Sequence, residues 1–505
     1  MPVPTPAARA ISSIGTSVPR SVKTVRAAAM IRSRLRRASA RSRGVASVVM
    51  VLACRDRAVA RAQLGLGWAD CRMVSAPVRW TKSFQFGTTG RESSSCSLGV
   101  QGVTMLDPAV DPAAYPKVRT CPFAHEPEYA RLRAEAPITK VPMAGGGTAW
   151  LVTRHDLVRQ VLGDPRMSSD RRRPGFPRLS ANQRPIPSVA PLLVGMDPPE
   201  HTEARRAVLA EFTVRRIEKM RPRIQQIVDG CIDDMLAETG PVDLVRALSL
   251  PVPSLVICEL LGVPYADHDF FQERSSLMLR KSTPVEQRAH AVEELQSYLD
   301  RLVTGKEREI TDDLLGRQIR KQREIGEVDH HALVALAFLL LIAGHETTAN
   351  MISLGTLALL VNPQLLAEIV ADPTKTPSAV EELLRYFTIV EAATSRVALE
   401  DVEIGGVLIR AGEGVVALGT SANRDPDAFD QPEEIDINRS ARRHVAFGFG
   451  PHQCLGQNLA RLELQIVFDT LFRRLPGLRL DAAIDDLPFK SDANVYGIYE
   501  MPVTW

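Results

Sequence analysis

The residues of this chain best suited to chemistry sit in one run of ten, Phe447-Gly-Phe-Gly-Pro-His-Gln-Cys-Leu-Gly456, where a single cysteine follows a glycine-shaped turn. Leu455, Leu459, Leu462 and Ile466 recur at three- to four-residue spacing, which predicts a helix with one buried face directly after it. At a helix start the dipole and unpaired N–H groups lower a thiol pKa, so Cys454 reads as a thiolate able to ligate a metal. Gly448, Gly450 and Gly456 give the backbone freedom to pass close beneath a flat, bulky group. For the cysteine alone, a buried structural thiol in a Gly-rich loop is the plain alternative.

A second run, Ala343-Gly-His-Glu-Thr-Thr348, interrupts an apolar segment, 331–361, that reads as one helix about 45 Å long at 1.5 Å per residue. Gly alone costs such a helix about 1 kcal/mol relative to Ala, so the interruption needs a cause. Glu346 and Thr347 set a carboxyl beside a hydroxyl, a pair able to hold water and supply protons. The competing reading is a kink whose Thr hydroxyls bond back to the previous turn. Glu382 and Arg385, at i and i+3, share a helical face; alone they read as an ordinary solvated ion pair.

The elements that must position these residues are mostly helical. Periodicity and capping signals predict helices at 126–136, 155–162, 199–210, 214–237, 267–279, 285–308, 331–361, 363–371, 377–387 and 455–474. Strands are expected at 148–153 and, with glycines as punctuation, in hairpins across 402–418. The Pro- and Arg-rich stretch 171–191 reads as a loop.

Taken together, the cysteine loop with Phe447, His452 and Gly456, the Ala-Gly-His-Glu-Thr-Thr run and the Glu-x-x-Arg pair resemble the cytochrome P-450 superfamily of haem-thiolate monooxygenases, in soluble actinomycete-type form. The resemblance covers 105–505. It implies a mainly α fold with a smaller β region, a triangular helix-rich prism holding haem b between a long central helix and the cysteine-loop helix. Cys454 is then the iron ligand, and a thiolate ligand favours O–O cleavage. Glu346 and Thr347 form the oxygen-activation pair, and Glu382, Arg385 and Arg439 form a structural network. Phe447, Gly448 and Gly456 shape the haem loop, while His201, Arg205, Arg396 and His452 match positions that hold the haem propionates. Ile435 stands where an aromatic is more usual, and Glu203 and Ala204 depart from the family pattern near His201. Substrate contacts are expected from 171–193, 338–343, 389–394 and 494–499.

The implied reaction inserts one atom of O2 into a C–H or C=C bond of a small apolar substrate, in secondary-metabolite tailoring or xenobiotic oxidation. No flavin or nicotinamide fingerprint is present, so electrons are expected from a ferredoxin and its NAD(P)H-dependent reductase, with Arg442 and Arg443 as part of the docking face. Two other classes compete: a haem-binding partner protein without turnover, and an oxidative-coupling or peroxide-driven catalyst. Both are disfavoured by the retained Cys454, Glu346 and Thr347.

Charge divides the chain. Residues 1–104 hold 15 Arg and 2 Lys against 3 acidic residues, while the remaining 401 hold 45 basic and 56 acidic residues. The leading part shows no periodicity and reads as a disordered basic extension, from a start assigned too far upstream, a transit peptide or an export signal. The first of these is favoured, with Met105 opening the catalytic part. A basic tail of this kind is ordinarily solvated, and nucleic-acid binding is not expected. The best apolar run, 332–344, is too short for an integral membrane span. The 7 cysteines lack finger or disulfide-framework spacing, so a reducing cytoplasm is expected. A monomer is the expected state.

Overall fold

The computed structural model describes residues 114–119, 121–124, 126–180, 192–390 and 394–505, all within one compact unit. The disorder expected of 1–104 and the boundary at Met105 lie outside the described residues. So do 181–191 and 391–393, parts of two segments expected to touch substrate.

Helices dominate. In chain order they are α1 (Pro127–Glu135), α2 (His155–Gly163), α3 (Glu200–Val208), α4 (Val214–Glu218), α5 (Arg221–Ala237), α6 (Pro251–Leu261), α7 (His268–Leu279) and α8 (Val285–Arg308). The second half adds α9 (Leu314–Ile325), α10 (His330–Gly344), α11 (Glu346–Val361), α12 (Pro363–Ala371), α13 (Thr376–Phe387), the single turn α14 (Gly419–Ala422) and α15 (Gln457–Arg474). The expected central helix is therefore two helices meeting at His345. α11 is buried on nearly every side, with 13 of its 16 residues in the core. It packs so closely on α15 that a Cβ on Gly355 would lie 2.4 Å from the Phe468 ring.

Among the described residues, His330–Val361 is the one run long and apolar enough to cross a membrane by length and composition. It is longer than the uninterrupted apolar stretch 332–344 because it counts apolar residues on both sides of the break at His345. Half of its apolar window is buried inside the protein. Its apolarity serves the core, which also takes α5, α6, α8, α13 and α15.

Two of the longer helices were not anticipated. α6 is apolar all round, with 8 of 11 residues buried, and so offers no amphipathic period. Its prolines fall in the first turn, where missing N–H groups cost nothing. α9 is strongly charged, yet Asp313 caps it by accepting from the Gly316 N–H at 2.9 Å, a start signal present in the sequence.

The β region is small. A five-stranded sheet runs β1 (Ile138–Pro142), β2 (Thr148–Val152), β8 (Gly414–Ala417), β5 (Ser395–Ala398), β3 (Met167–Ser168) in spatial order. β2 and β8 are parallel, with Trp150 opposite Val415; β8 and β5 are antiparallel, with Val415 opposite Arg396. The expected hairpin is β6 (Val402–Ile404) with β7 (Val407–Ile409), turned by Gly405 and Gly406 at φ 52° and 79°. Both central residues need positive φ, the reason glycine occupies them. β4 (Val242–Asp243), β10 (Pro502–Thr504) and β9 (Arg479–Leu480) form a third sheet.

Candidate active site

The cysteine loop is held by its own backbone. The Cys454 N–H donates to the Phe447 carbonyl at 2.8 Å, and the Gln453 N–H to Gly450 at 3.0 Å. Gly448 and Gly450 have φ of 69° and 71°, in the left-handed region. A Cβ on Gly450 would lie 2.5 Å from the Leu162 carbonyl oxygen, so glycine is also required there by the approach of α2. Gly456 has an ordinary φ of −81° and caps α15; a Cβ on it would meet nothing within 4 Å. Its freedom is unused by the protein, and open space lies beside it.

Burial pushes the Cys454 thiol pKa up, against the pull of the Gly456 and Gln457 N–H groups and of Arg205 and Arg461. This corrects the expectation of a lowered pKa: desolvation outweighs the helix start. A bound metal cation deprotonates a coordinating thiol outright, so a raised value does not oppose ligation. Among the described residues no group of three or more His, Cys, Asp or Glu could hold a metal ion. An iron bound through Cys454 must take its other ligands from a non-protein group such as a porphyrin.

Four cationic or imidazole side chains gather near the loop. The His201 and His452 rings lie 3.9 Å apart, and both nitrogens of the buried His201 lack a hydrogen-bond partner. Arg205 donates from Nη2 to the Gln453 carbonyl at 2.6 Å. Arg396, buried on β5, donates to the Ser395 carbonyl at 2.8 Å. Burial pulls the Arg396 pKa down to about 10, opposed by Asp197. Burial, then Arg396, His201 and Arg205, push His452 down to about 3. Orphaned imidazole nitrogens among mutually repelling cations form a cradle suited to anionic carboxylates, and the two propionates of haem fit it.

Glu382 and Arg385 are both fully buried, unlike the solvated pair their spacing alone allows. Arg385 grips Glu382 bidentately at 2.8 and 2.7 Å and also donates to the carbonyls of Asn423, Pro432 and Glu434. Arg439 joins through Nε at 3.3 Å from Glu382. The neighbouring Glu381 carries a second network that sequence reasoning missed. It accepts from Arg461 and lies 3.2 Å from His444 Nε2, and these partners hold it at about 2 despite burial. The Arg461 guanidinium lies 4.6 Å from the Phe447 ring centre, so Glu381 braces the cysteine loop from α13.

At the helix break, Ala343 is exposed and Gly344 and Thr347 partly so, although the flanking helices are core elements. The Thr347 hydroxyl donates to the Ala343 carbonyl at 2.8 Å, the back-bond of the kink reading. Glu346 is not on that open side. It is buried and ion-paired with Lys490, which also donates to Asn350 at 2.9 Å. Burial raises the Glu346 pKa, but Lys490 and His345 lower it further, so it is held below the usual carboxylate range. Consecutive helical residues point about 100° apart, which is why adjacency in sequence did not make the pair adjacent in space. Lys490 was not anticipated: its partner is 144 residues away and no local pattern marks it.

A solvent-open cleft is lined by Leu179, Ile389, Asn494 and Tyr496, from expected substrate segments, and by Lys117 and Arg119, which were not expected. Phe338, also expected there, is buried in the core.

Comparison with known proteins follows this geometry. A family model described as Cytochrome P450 matches residues 137–373 and 374–476. Pentalenic acid synthase of Streptomyces avermitilis is 50% identical over 395 residues, covering 78% of this chain and 98% of that protein. A 20-oxo-5-O-mycaminosyltylactone 23-monooxygenase of Streptomyces fradiae is 45% identical over 393 residues, covering 78% and 92%. Among solved structures, cytochrome P450 MoxA of Nonomuraea recticatena superposes with a TM-score of 0.73 at 59% identity, covering 78% of this chain and 98% of that one.

Proposed function

Because the chain belongs to the cytochrome P450 family, and so is a haem-dependent monooxygenase of helix-rich P450 fold, we propose the following assignment of its residues, partners and substrate class. Cys454 would hold the haem iron through its sulfur, on a loop fixed by Phe447, Gly448 and Gly450, with Gly456 leaving room beside it. His201, Arg205, Arg396 and His452 receive the propionates. When bound, the haem supplies reductive activation of O2, with one oxygen atom going to substrate and the other to water. Thr347, its proton committed to Ala343, accepts a hydrogen bond from water at the open side of the break. Glu346, ionised by Lys490, fixes the α11 start from behind. Glu382, Arg385 and Arg439 lock the chain ahead of the cysteine loop. Arg205 and Arg461 keep positive charge near the sulfur.

Residues 105–505 form the catalytic domain, since relatives matched over nearly their whole length use only 78% of this chain. Electrons arrive from an acidic ferredoxin and its reductase, in the cytoplasm. The named relatives are a pentalenic acid synthase and a 20-oxo-5-O-mycaminosyltylactone 23-monooxygenase, and the cleft, with Leu179, Ile389 and Tyr496 beside Lys117, Arg119, Lys281 and Lys490, suits a terpenoid or macrolide skeleton that carries polar groups. The observation that carries the reading is the half-buried Cys454 on its glycine-turned loop, near an orphaned His201 and the arginines Arg205 and Arg396. In the test, the reduced protein is treated with carbon monoxide. The parent is expected to give the red-shifted band of thiolate ligation and Cys454→Ser to lose it; survival of the band in the variant would show that another residue ligates iron.

A further inference from the structure

One buried residue of the helix break has no place in the assignment above. His345 stands between α10 and α11 with φ −99° and ψ −50°, and it is 1% exposed. Its Nδ1 lies 2.8 Å from the Leu341 carbonyl oxygen and its Nε2 2.9 Å from the Ser275 hydroxyl on α7. In an unbroken helix the Leu341 carbonyl would accept from the backbone N–H of residue 345. Here the imidazole takes that acceptor, as the Thr347 hydroxyl takes Ala343. A side chain inserted into the i to i−4 ladder is among the few causes of a sharp helix break.

Burial lowers the His345 pKa, so one ring nitrogen donates and the other accepts. Donation from Nδ1 to Leu341 leaves Nε2 to accept from Ser275, whose hydroxyl is shared with the Phe271 carbonyl of its own helix at 2.6 Å. The ring is therefore tied to α7. That helix leads into Lys281, which lines the cleft with Ile389 and Tyr496, and its Leu279 carbonyl accepts from the Asn494 N–H at 3.1 Å. A small apolar pocket lies against the ring between Ile257, Cys258, Phe271 and Leu341.

We propose that His345 is a positioning residue for the oxygenation. Its ring holds open the helix break that presents Ala343 and Thr347, and Ser275 couples that break to the helix that leads into Lys281 at the cleft wall. A substrate that displaces α7 then moves the ring, and with it the Thr347 hydroxyl.

The proposal rests on the monooxygenase reading, and the test separates the two. Holoenzymes of the parent, His345→Leu, Ser275→Ala and the double variant are compared in three ways, with carbon monoxide as the probe. These are the electronic spectrum of the reduced carbonyl complex, its C–O infrared stretch, and amide hydrogen exchange across residues 341–348. All four are expected to keep the thiolate-type electronic band. In His345→Leu the ladder closes, so exchange at residue 345 slows by about tenfold, the protection of one net hydrogen bond, and the C–O stretch shifts. Ser275→Ala, which keeps the Leu341 bond, is expected to be intermediate on both readouts, and the double variant to match His345→Leu. Should His345→Leu fail to fold, Ser275→Ala carries the test alone. Exchange and stretch both unchanged would overturn the proposal, and so would a change in either without the other, since the ring would then not act through the break. A parent lacking the thiolate band would overturn the monooxygenase reading instead.

Discussion

Thr347 spends its hydroxyl proton on the Ala343 carbonyl, so what it offers to the open side of the break is a lone pair. Removing the hydroxyl would deprive a water held there of that acceptor. Thr347→Ala is expected to keep the carbonyl spectrum but to lower product formed per electron pair consumed by about tenfold or more, the order associated with losing one proton-handling group. Thr347→Ser, which can remake the bond, is expected to retain most of the coupling. Both are measured with a substrate found by titrating a compound panel and watching the spin-state shift at iron. Equal coupling in Thr347→Ala and parent would remove Thr347 from proton handling. At this scale the sequence was legible where chemistry is local: the cysteine loop, Glu382 with Arg385, and Thr347 all lie in short runs with fixed spacing. It was silent on Lys490, Arg461 as a partner of Glu381, and Ser275 as a partner of His345. Those pairings join elements 144, 80 and 70 residues apart, and nothing in a single chain encodes such distances.

α15 supports the cysteine loop from its N-terminus and carries an acid in its buried face. Glu463 is 2% exposed, its Oε2 has no hydrogen-bond partner, and burial alone pushes its pKa up to about 8. The folded protein thus keeps a proton that the unfolded chain releases near pH 4.5, so stability falls as pH rises through that window toward 8. At the upper end the penalty is on the order of 4 kcal/mol. Glu463→Gln, neutral at every pH, is expected to flatten this slope, raising Tm at about pH 8.5 relative to parent and leaving it nearly unchanged at about pH 5. Parallel pH profiles of Tm in the two holoproteins would show that Glu463 ionises elsewhere. Element boundaries were readable where one face is apolar and the other polar, as in α8, where the expected 285–308 is the observed span. They failed for α6, whose burial on all sides erases the period, and at His345, where an apolar run hid two helices.

Across the whole molecule, charge is distributed against itself. Residues 105–505 carry a net −11, so an acidic electron donor meets a repulsive body and needs a local basic face. Arg442 and Arg443 are exposed in the segment leading into the cysteine loop, 12 and 11 residues before Cys454. A donor docked there would face the segment that leads into the Cys454 loop, whereas the cleft is lined by Lys281, just past α7, and by residues between 490 and 496. Reversing both charges, Arg442→Glu with Arg443→Glu, is expected to lower the association rate with an acidic ferredoxin by about tenfold at low ionic strength. The difference should shrink as salt rises and the Debye length falls to about 8 Å near 0.15 M. Substrate-induced spin-state shifts, which need no donor, should be unchanged. Stopped-flow reduction across a salt series separates the outcomes: a rate loss that persists at high salt means the variant disturbed the loop itself, and no loss at low salt means the donor docks elsewhere.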